Sequence, residues 1–307
     1  MSEMLVFDRA AVRRNRDRAA PDWPNHDFLV AEAAERLLER LEEVRRSFPL
    51  ALDLGCHGGT LAPRLLGQTG VERVVQCDLS PAMARQAATN GQPALAADEE
   101  FLPFAPESFD LAVSLLSLHW VNDLPGALLQ LRRALKPDGL FLGVMLGGDS
   151  LHELRASLIL AESELRGGAA PRVSAFAELR DLAGLLQRAG FAMPVADRES
   201  LAVTYADPIK LLRELRGMAA ANALIERPRG GLRRDVLART FEIYAERFGT
   251  SEGRLPVTFE FLWAVGWAPH AEQPKPLRPG SAAARLADAL GSAEQGSGVP
   301  VVPPDKH

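Results

Sequence analysis

The sequence predicts an α/β protein: a doubly wound, mostly parallel sheet with a helical N-terminal arm and a helical lid inserted late in the chain. Three observations lead there. Between residues 49 and 146, short apolar runs alternate with amphipathic helical stretches. The apolar runs show no in/out alternation, as strands covered on both faces must read. A glycine-rich turn joins the first run to the helical stretch after it.

At ~150 residues per domain, the 307-residue chain holds about two domains or one elaborated one. Apolar residues at 47% and charged residues at 24% are ordinary for a globular protein. A net charge of −5 argues against a nucleic-acid partner. The longest uncharged runs, Leu111 to Asn122 and Gly139 to Gly148, fall short of the ~20 residues of a membrane span. Peripheral membrane association stays compatible with this. The first 20 residues hold no apolar h-region, so no secretory leader is expected. Two cysteines, Cys56 and Cys77, exclude a disulfide scaffold or zinc-finger module and fit a reducing, cytoplasmic setting.

The elements follow in order. Phe7 to Arg18 carries five arginines against two aspartates and reads as a solvated helical arm, with a partner-binding arm as the alternative. From about Asp27 to Ser47, Val30, Ala33, Ala34, Leu37, Leu38, Leu41 and Val44 repeat at three and four, an amphipathic helix stopped by Pro49. Leu50–Leu54, Arg73–Cys77, Ala94–Ala97, Phe109–Leu115 and Leu140–Leu146 are strand candidates. Helices are expected over Thr60–Leu66, Pro81–Ala88 and Leu124–Leu135. After Gly147 come helices over Ser150–Leu165 and Glu178–Ala189 and a strand region over Met193–Tyr205. Two further helices, Pro208–Leu224 and Leu232–Phe248, precede an apolar run, Val257–Trp267, that returns to the sheet. The parts are thus an arm and helix (1–48), a ligand-binding core (49–147), its C-terminal part (148–207), the helical insertion (208–254), a last strand (255–268) and a tail (269–307). The tail holds seven of the 22 prolines in 39 residues and reads as extended, with one short helix over Ala282–Leu290.

Ala51-Leu-Asp-Leu-Gly-Cys-His-Gly-Gly-Thr60 runs from strand through turn to helix, where glycines let a ligand approach backbone amides. Asp78, 23 residues after Gly55, closes the second strand, where a carboxylate can accept both hydroxyls of a ribose. A dinucleotide site wants G-x-G-x-x-G, but His57 and Thr60 stand where its second and third glycines belong. Asp53 at the strand end would repel a phosphate. It suits a ligand with cationic groups and no phosphate, and S-adenosyl-L-methionine carries a sulfonium and an ammonium.

These residues resemble a known family. Asp53-Leu-Gly-Cys-His-Gly-Gly59 is similar to the first motif of class I S-adenosylmethionine-dependent methyltransferases, usually D-x-G-x-G-x-G, with His57 in place of the middle glycine. Cys77-Asp-Leu-Ser-Pro-Ala-Met83 resembles their second-strand motif and Ala97-Asp-Glu-Glu-Phe-Leu-Pro-Phe104 the third, in which the Asp caps the adenine amino group. Phe109-Asp-Leu and Leu135-Lys-Pro-Asp-Gly139 complete the set, in order and at the usual spacing over residues 49 to 146. The resemblance implies a Rossmann-like methyltransferase sheet and S-adenosyl-L-methionine as cofactor.

A narrower resemblance spans most of the chain. Phe7-Asp-Arg9, Arg16-Asp-Arg18-Ala-Ala20, Ser117-Leu-His-Trp-Val-Asn-Asp-Leu-Pro125 and Gly148-Asp-Ser-Leu-His-Glu-Leu-Arg155 are similar to the bacterial relatives of mitochondrial complex I assembly factor 5. So are Leu215-Arg-Gly-Met218, Asn222-Ala-Leu224 and Gly266-Trp-Ala-Pro269. That family is described as hydroxylating an arginine on an iron–sulfur subunit of complex I, which implies a protein substrate. A cousin methylates malonyl-carrier protein in the biotin pathway. Three functions follow as expectations: modification of a protein side chain during complex I assembly, methyl transfer to a small molecule or carrier-bound acyl group, or a non-catalytic assembly chaperone.

The expected roles are specific. Asp78 takes the ribose, Asp98 the adenine and Asp53 the methionine end. Gly55 and Gly59 shape the loop, or serve a turn that needs positive φ. Cys56 and Cys77 pack at strand ends, Met83 lies over the adenine or in the core, and His57 reaches the cofactor carboxylate or faces solvent. Leu79, Glu99 and Leu115, beside these motifs, complete the cofactor set. His119 and Trp120 follow the fourth strand at the mouth of the sheet, as proton acceptor or wall. Arg216 and Asn222, on the insertion, are substrate-facing candidates. His270-Ala-Glu272 has local metal-ligand spacing but no distal histidine to join it, so no metal site is read.

Overall fold

The computed structural model describes residues 5–174, 176–274, 288 and 290–292. Residues 1–270 form one unit and 271–307 a second, and everything below lies in the first. The expected helix over Ala282–Leu290 falls outside the described residues except for Asp288 and Leu290.

Along the chain run α1 (Arg9–Ala19), α2 (Phe28–Glu42), β1 (Leu50–Leu54), α3 (Ala62–Leu65), β2 (Arg73–Asp78), α4 (Pro81–Ala87), β3 (Ala94–Ala96), β4 (Phe109–Leu115), α5 (Leu124–Ala134) and β5 (Leu135–Leu146). There follow α6 (His152–Arg166), α7 (Leu179–Arg188), β6 (Ala192–Tyr205), α8 (Pro208–Gly217), α9 (Arg234–Phe248) and β7 (Leu255–Trp267). The seven strands lie in the order β3-β2-β1-β4-β5-β7-β6. All pairs are parallel except those of β7, which is antiparallel to both β5 and β6.

Alternate residues of each central strand serve opposite cores, which is why the runs read as continuously apolar. Ala51, Val113 and Leu142 face a core shared with α2, α3 and α6. Leu52, Ala112 and Phe141 face a second core with Leu128 and Leu131 of α5 and Leu182 and Leu186 of α7. The strand order reverses beside β1, so a crevice opens past the ends of β1 and β4, the place where such sheets bind ligands.

The insertion leaves and rejoins the sheet at one point. Tyr205 ends β6 and pairs with Leu255, which begins β7. Because Leu146 at the end of β5 pairs with Phe261, that point lies beyond the C-terminal ends of the parallel strands. α9 packs on α6 through Val236, Ile243 and Ala161, and the Tyr244 hydroxyl donates to the Pro256 carbonyl at 2.7 Å.

Several expectations change. β5 begins at Leu135, five residues before the expected Leu140. α2 ends at Glu42 rather than Ser47. The helix expected over Pro208–Leu224 stops at Gly217, which packs against the His26 ring, and Ala219 then takes a left-handed φ of +60°. From there the chain runs extended against the arm, pairing Leu224 with Phe7. The arm itself is not a solvated helix. Ala11, Val12, Asn15, Arg16 and Ala19 are buried, and only Arg13, Arg14 and Arg18 of its arginines are exposed.

Candidate functional site

β1 delivers Asp53 and the turn that follows it. Gly55 and Gly59 adopt φ of +72° and +83°, and His57, where the family pattern has glycine, adopts +48°. The amides of Gly55 and Cys56 donate to the Cys77 carbonyl at 2.7 and 3.0 Å, tying the turn to the end of β2. Gly55 has no room for a side chain, since a Cβ there would stand 2.1 Å from that of Ser117.

Asp53 is 1% exposed and neither carboxylate oxygen has a hydrogen-bond partner among the described residues. Burial, with Asp78 adding its charge, pushes its carboxyl up to about 7. An unpaired buried carboxylate is costly, and a ligand with positive charge would remove that cost.

His57 is buried and stacks on Trp23, ring centroids 4.9 Å apart and planes 11° from parallel. Its Nε2 lies 3.0 Å from the Leu115 carbonyl, which can only accept, so the ring proton sits there. Nδ1 is left a buried lone pair without a partner among the described residues. Burial, reinforced by the Arg16 charge, lowers His57 to about 4, so it is neutral near pH 7.

The acids at the ends of β2 and β3 meet the arm. Arg16, itself buried, donates to Asp78 Oδ2 at 3.2 Å, Glu99 Oε1 at 2.8 Å and Ser117 Oγ at 2.7 Å. Arg9 bridges Asp98 and Glu99 and donates to the Trp120 carbonyl at 3.1 Å. Burial would raise the Glu99 carboxyl, but the charges of Arg16 and Arg9 hold it well below the usual range. Asp78 also accepts from the amides of His57 at 3.1 Å and Ser80 at 2.8 Å. Asn122 pins the arm: its Oδ1 accepts from the Val6 and Phe7 amides at 2.8 Å each, and its Nδ2 donates to the Phe7 carbonyl at 3.1 Å.

Beside this network, under the insertion, lies a cavity of about 360 Å³. Trp23, His57, His119 and Trp120 line it from the sheet side, and Arg216 and Asn222 from the insertion. The rest of its lining is mostly leucine, valine and phenylalanine, with no aspartate or glutamate among the described residues. His119 sits between Trp120 and Phe176 and is lowered to about 3 by burial and then by the Arg16 charge, so it too is neutral.

The structure therefore gathers Asp53, Gly55, His57, Asp78, Asp98, Glu99 and Leu115 around one turn, and His119, Trp120, Arg216 and Asn222 around one adjoining cavity. Of the other candidates, Cys56 and Gly59 belong to the turn itself, while Met83, Leu79 and Cys77 pack away from it. Met83 packs wholly in the core, and its amide is capped by Ser80 Oγ at 3.1 Å. Leu79 packs with the cluster of Phe7 and Val12. The Gly59 carbonyl accepts from Asn90 at 3.2 Å. Cys56 and Cys77 are buried thiols pushed up by desolvation, hence packed rather than reactive. His57 is not a solvent-facing loop residue.

Sequence reasoning gave no place around the turn to Arg9, Arg16, Trp23, Ser117 or Asn122, although Arg9, Arg16, Ser117 and Asn122 lie in the motifs that carry the narrower resemblance. For Arg16 a signal existed, since it falls in the Ala11, Val12, Asn15, Ala19 stripe at helical spacing.

The donor set fits S-adenosylmethionine in chemistry: an orphaned carboxylate for its cations, acids at the ends of β2 and β3 for an adenosine, and a glycine turn with left-handed φ. The space beside Asp78, though, is held by Arg16.

Residues 52–143 match the methyltransferase domain family. The chain is 44% identical over 289 residues to a zebrafish (Danio rerio) protein named arginine-hydroxylase NDUFAF5, mitochondrial, covering 93% of this chain and 89% of that one. It is 38% identical to the malonyl-[acyl-carrier protein] O-methyltransferase of Halorhodospira halophila, covering 85% and 88%. Among solved structures it resembles Haemonchus contortus phosphoethanolamine N-methyltransferase 2 in complex with S-adenosyl-L-methionine, at 16% identity and a TM-score of 0.53, covering 84% and 60%. Fold, motifs and relatives agree, and the chain belongs to the class I S-adenosylmethionine-dependent methyltransferase superfamily, among the relatives of the NDUFAF5 proteins.

Proposed function

We propose that the chain is an enzyme that binds S-adenosylmethionine at the turn after β1 and modifies a side chain of a protein partner. By likeness to the NDUFAF5 proteins, that side chain is an arginine. By the same family resemblance, the partner is an iron–sulfur subunit of respiratory complex I and the setting is its assembly. The observation that carries the cofactor reading is Asp53, a buried carboxylate at the end of β1 with no counter-ion among the described residues, beside the turn where the ligand's cations belong. Asp53 would hold the methionine end, Asp78 the ribose hydroxyls and Asp98 the adenine amino group. The bound cofactor supplies an electrophilic methyl group on a sulfonium. Beside it, Trp23, Trp120 and the insertion line the cavity for the acceptor, and neutral His57 offers an acceptor lone pair.

The test has two arms. Calorimetry with S-adenosylmethionine and with NAD decides the ligand, and equal or tighter NAD binding sinks the choice. Mass spectrometry of the partner subunit's arginines, in cells with and without this protein, decides the substrate and separates hydroxylation from methylation by mass increment. Unmodified arginines in both would leave an assembly role without catalysis.

One observation favours a second reading, a carboxylate-bearing small molecule or carrier-bound acyl group as methyl acceptor. No acidic residue lines the cavity, and Arg216 has no ion-pair partner among the described residues. Labelled-methyl transfer into cell extract would reveal such a product.

A further inference from the structure

The carboxylates expected to meet an adenosine face arginines of α1 instead. Arg16 joins Asp78 to Glu99, and Arg9 joins Asp98 to Glu99. Asp78 has no exposed surface. Its Oδ2 already accepts from Arg16 and the His57 amide, and its Oδ1 from the Ser80 amide. An oxygen with two lone pairs and two donors is filled. A pair of ribose hydroxyls reaches this carboxylate only when Arg16 leaves it.

The same segment is fastened to the insertion. The Asp8 amide donates to the Ala223 carbonyl at 2.8 Å, the Asp8 carboxylate accepts from Arg227 at 2.7 Å, and Asn15 Nδ2 donates to the Ala221 carbonyl at 2.9 Å. Phe7 packs edge-on against Trp120, a wall of the cavity. One short helix thus bolts the nucleoside end of the site to the roof of the acceptor cavity.

We propose that Arg16 is a built-in competitor for the nucleoside end of the cofactor, so that cofactor binding unlatches α1 and thereby loosens the roof of the acceptor cavity. The proposal rests on the cofactor reading above. It implies an order, cofactor first and acceptor second. It also implies that the apparent cofactor affinity is reduced by the fraction of molecules latched. Released, Arg9 and Arg16 enter water, where a guanidinium needs no partner. The exchange trades a fully paired buried cation for ligand hydrogen bonds at Asp78 and Asp98. Glu99, buried and held by Arg9, Arg16 and Ser117, keeps Ser117 and must gain water as α1 withdraws.

The experiment compares the wild-type chain with Arg16→Lys. Lysine keeps a positive charge beside Asp78 and Glu99 but cannot span both acids and Ser117 with one planar fork. Calorimetry with S-adenosylmethionine and with adenosine as probes should show the variant binding both at least ~10-fold tighter. In the wild-type chain, saturating S-adenosylmethionine should speed amide exchange across residues 9–19 and 223–225. That second measurement decides the matter even where the variant fails to fold. Unchanged or weaker binding by the variant, or slower exchange in α1 with cofactor, overturns the latch and leaves the cofactor reading standing. No S-adenosylmethionine binding by either chain overturns both.

Discussion

The guanidinium of Arg16 and the carboxylate of Asp78 stand 3.2 Å apart, both buried, although 62 residues separate them and one lies on the arm and the other on the sheet. The pair makes the N-terminal segment part of the candidate site rather than an appendage to it. Arg16 does not settle for one acid: Asp78, Glu99 and Ser117 together take its two terminal nitrogens. Its charge also reaches both neutral histidines of the site.

Asp78→Asn should weaken S-adenosylmethionine binding. Its amide oxygen can still accept from the Ser80 amide, but its NH2 then faces Arg16 and the His57 amide, which lose an acceptor. Circular dichroism should therefore accompany the titration to show that the variant is folded. Losing a charged acceptor for the ribose costs ~1.5–3 kcal/mol, roughly 10- to 150-fold in affinity. Titration calorimetry checks this, and unchanged affinity removes the ribose assignment.

Asp53 makes the protein's stability depend on pH in an unusual direction. Its carboxyl is held up to about 7, so between about pH 4 and 7 the folded chain carries a proton that the unfolded chain has lost. That contribution falls as pH rises, by about 1.4 kcal/mol per unit. His57 at about 4 and His119 at about 3 act oppositely, losing stability as pH drops below their ordinary value of 6.5. Urea unfolding of wild type beside Asp53→Asn isolates the carboxyl. The variant should gain on wild type from about pH 5 to pH 7, and a constant difference would show Asp53 ionised throughout.

Asn122→Ala should free the start of the arm without disturbing the sheet. The side chain serves two amides and one carbonyl of Val6 and Phe7. Its loss should cost ~1–3 kcal/mol, felt locally. Hydrogen exchange at residues 6–9 should quicken while β4 and β5 stay protected. Equal protection of the arm would mean that Phe7 and Arg9 hold it alone.

Exposed cations at the mouth should steer a partner. Arg13 and Arg14 on α1 are open to solvent, as is Arg216 on α8. Replacing Arg13 and Arg14 together, or Arg216 alone, with alanine should slow partner association and flatten its salt dependence. Cofactor affinity should not move. Normal association of both variants across salt concentrations would place partner recognition elsewhere.

The strands were legible because each central one is apolar on both faces. β1 and β4 match their expected bounds to the residue, and Arg73–Asp78 and Ala94–Ala96 differ by one. The site loop was legible through Gly55, Gly59 and Asp78, whose types and spacing carry their chemistry. Arg16 was hidden by its company, since among five arginines in one segment nothing in the composition marks the one that turns inward. What separates it from Arg13 and Arg14 is its place on the Ala11, Val12, Asn15, Ala19 stripe, a weak signal whose meaning shows once the arm meets Asp78 and Glu99. The helix after Pro208 was overextended because Ala219, Ala220, Ala221 and Ala223 continue a helical composition. The arm's edge claims residues 223–225 for extended pairing, a tertiary preference that local propensity does not record.

The paired residues Tyr205 and Leu255 have a consequence for how such proteins diversify. The 49 residues between them begin and end on one rung of a two-strand ladder, so the register of β6 on β7 is set without them. Helices of another length or charge can be exchanged there with the sheet undisturbed, provided the replacement keeps partners for Asp8 and Asn15 of the arm. The scaffold would keep one cofactor while the exchanged cassette chose a new acceptor, and grafting residues 206–254 between relatives should transfer acceptor preference with them.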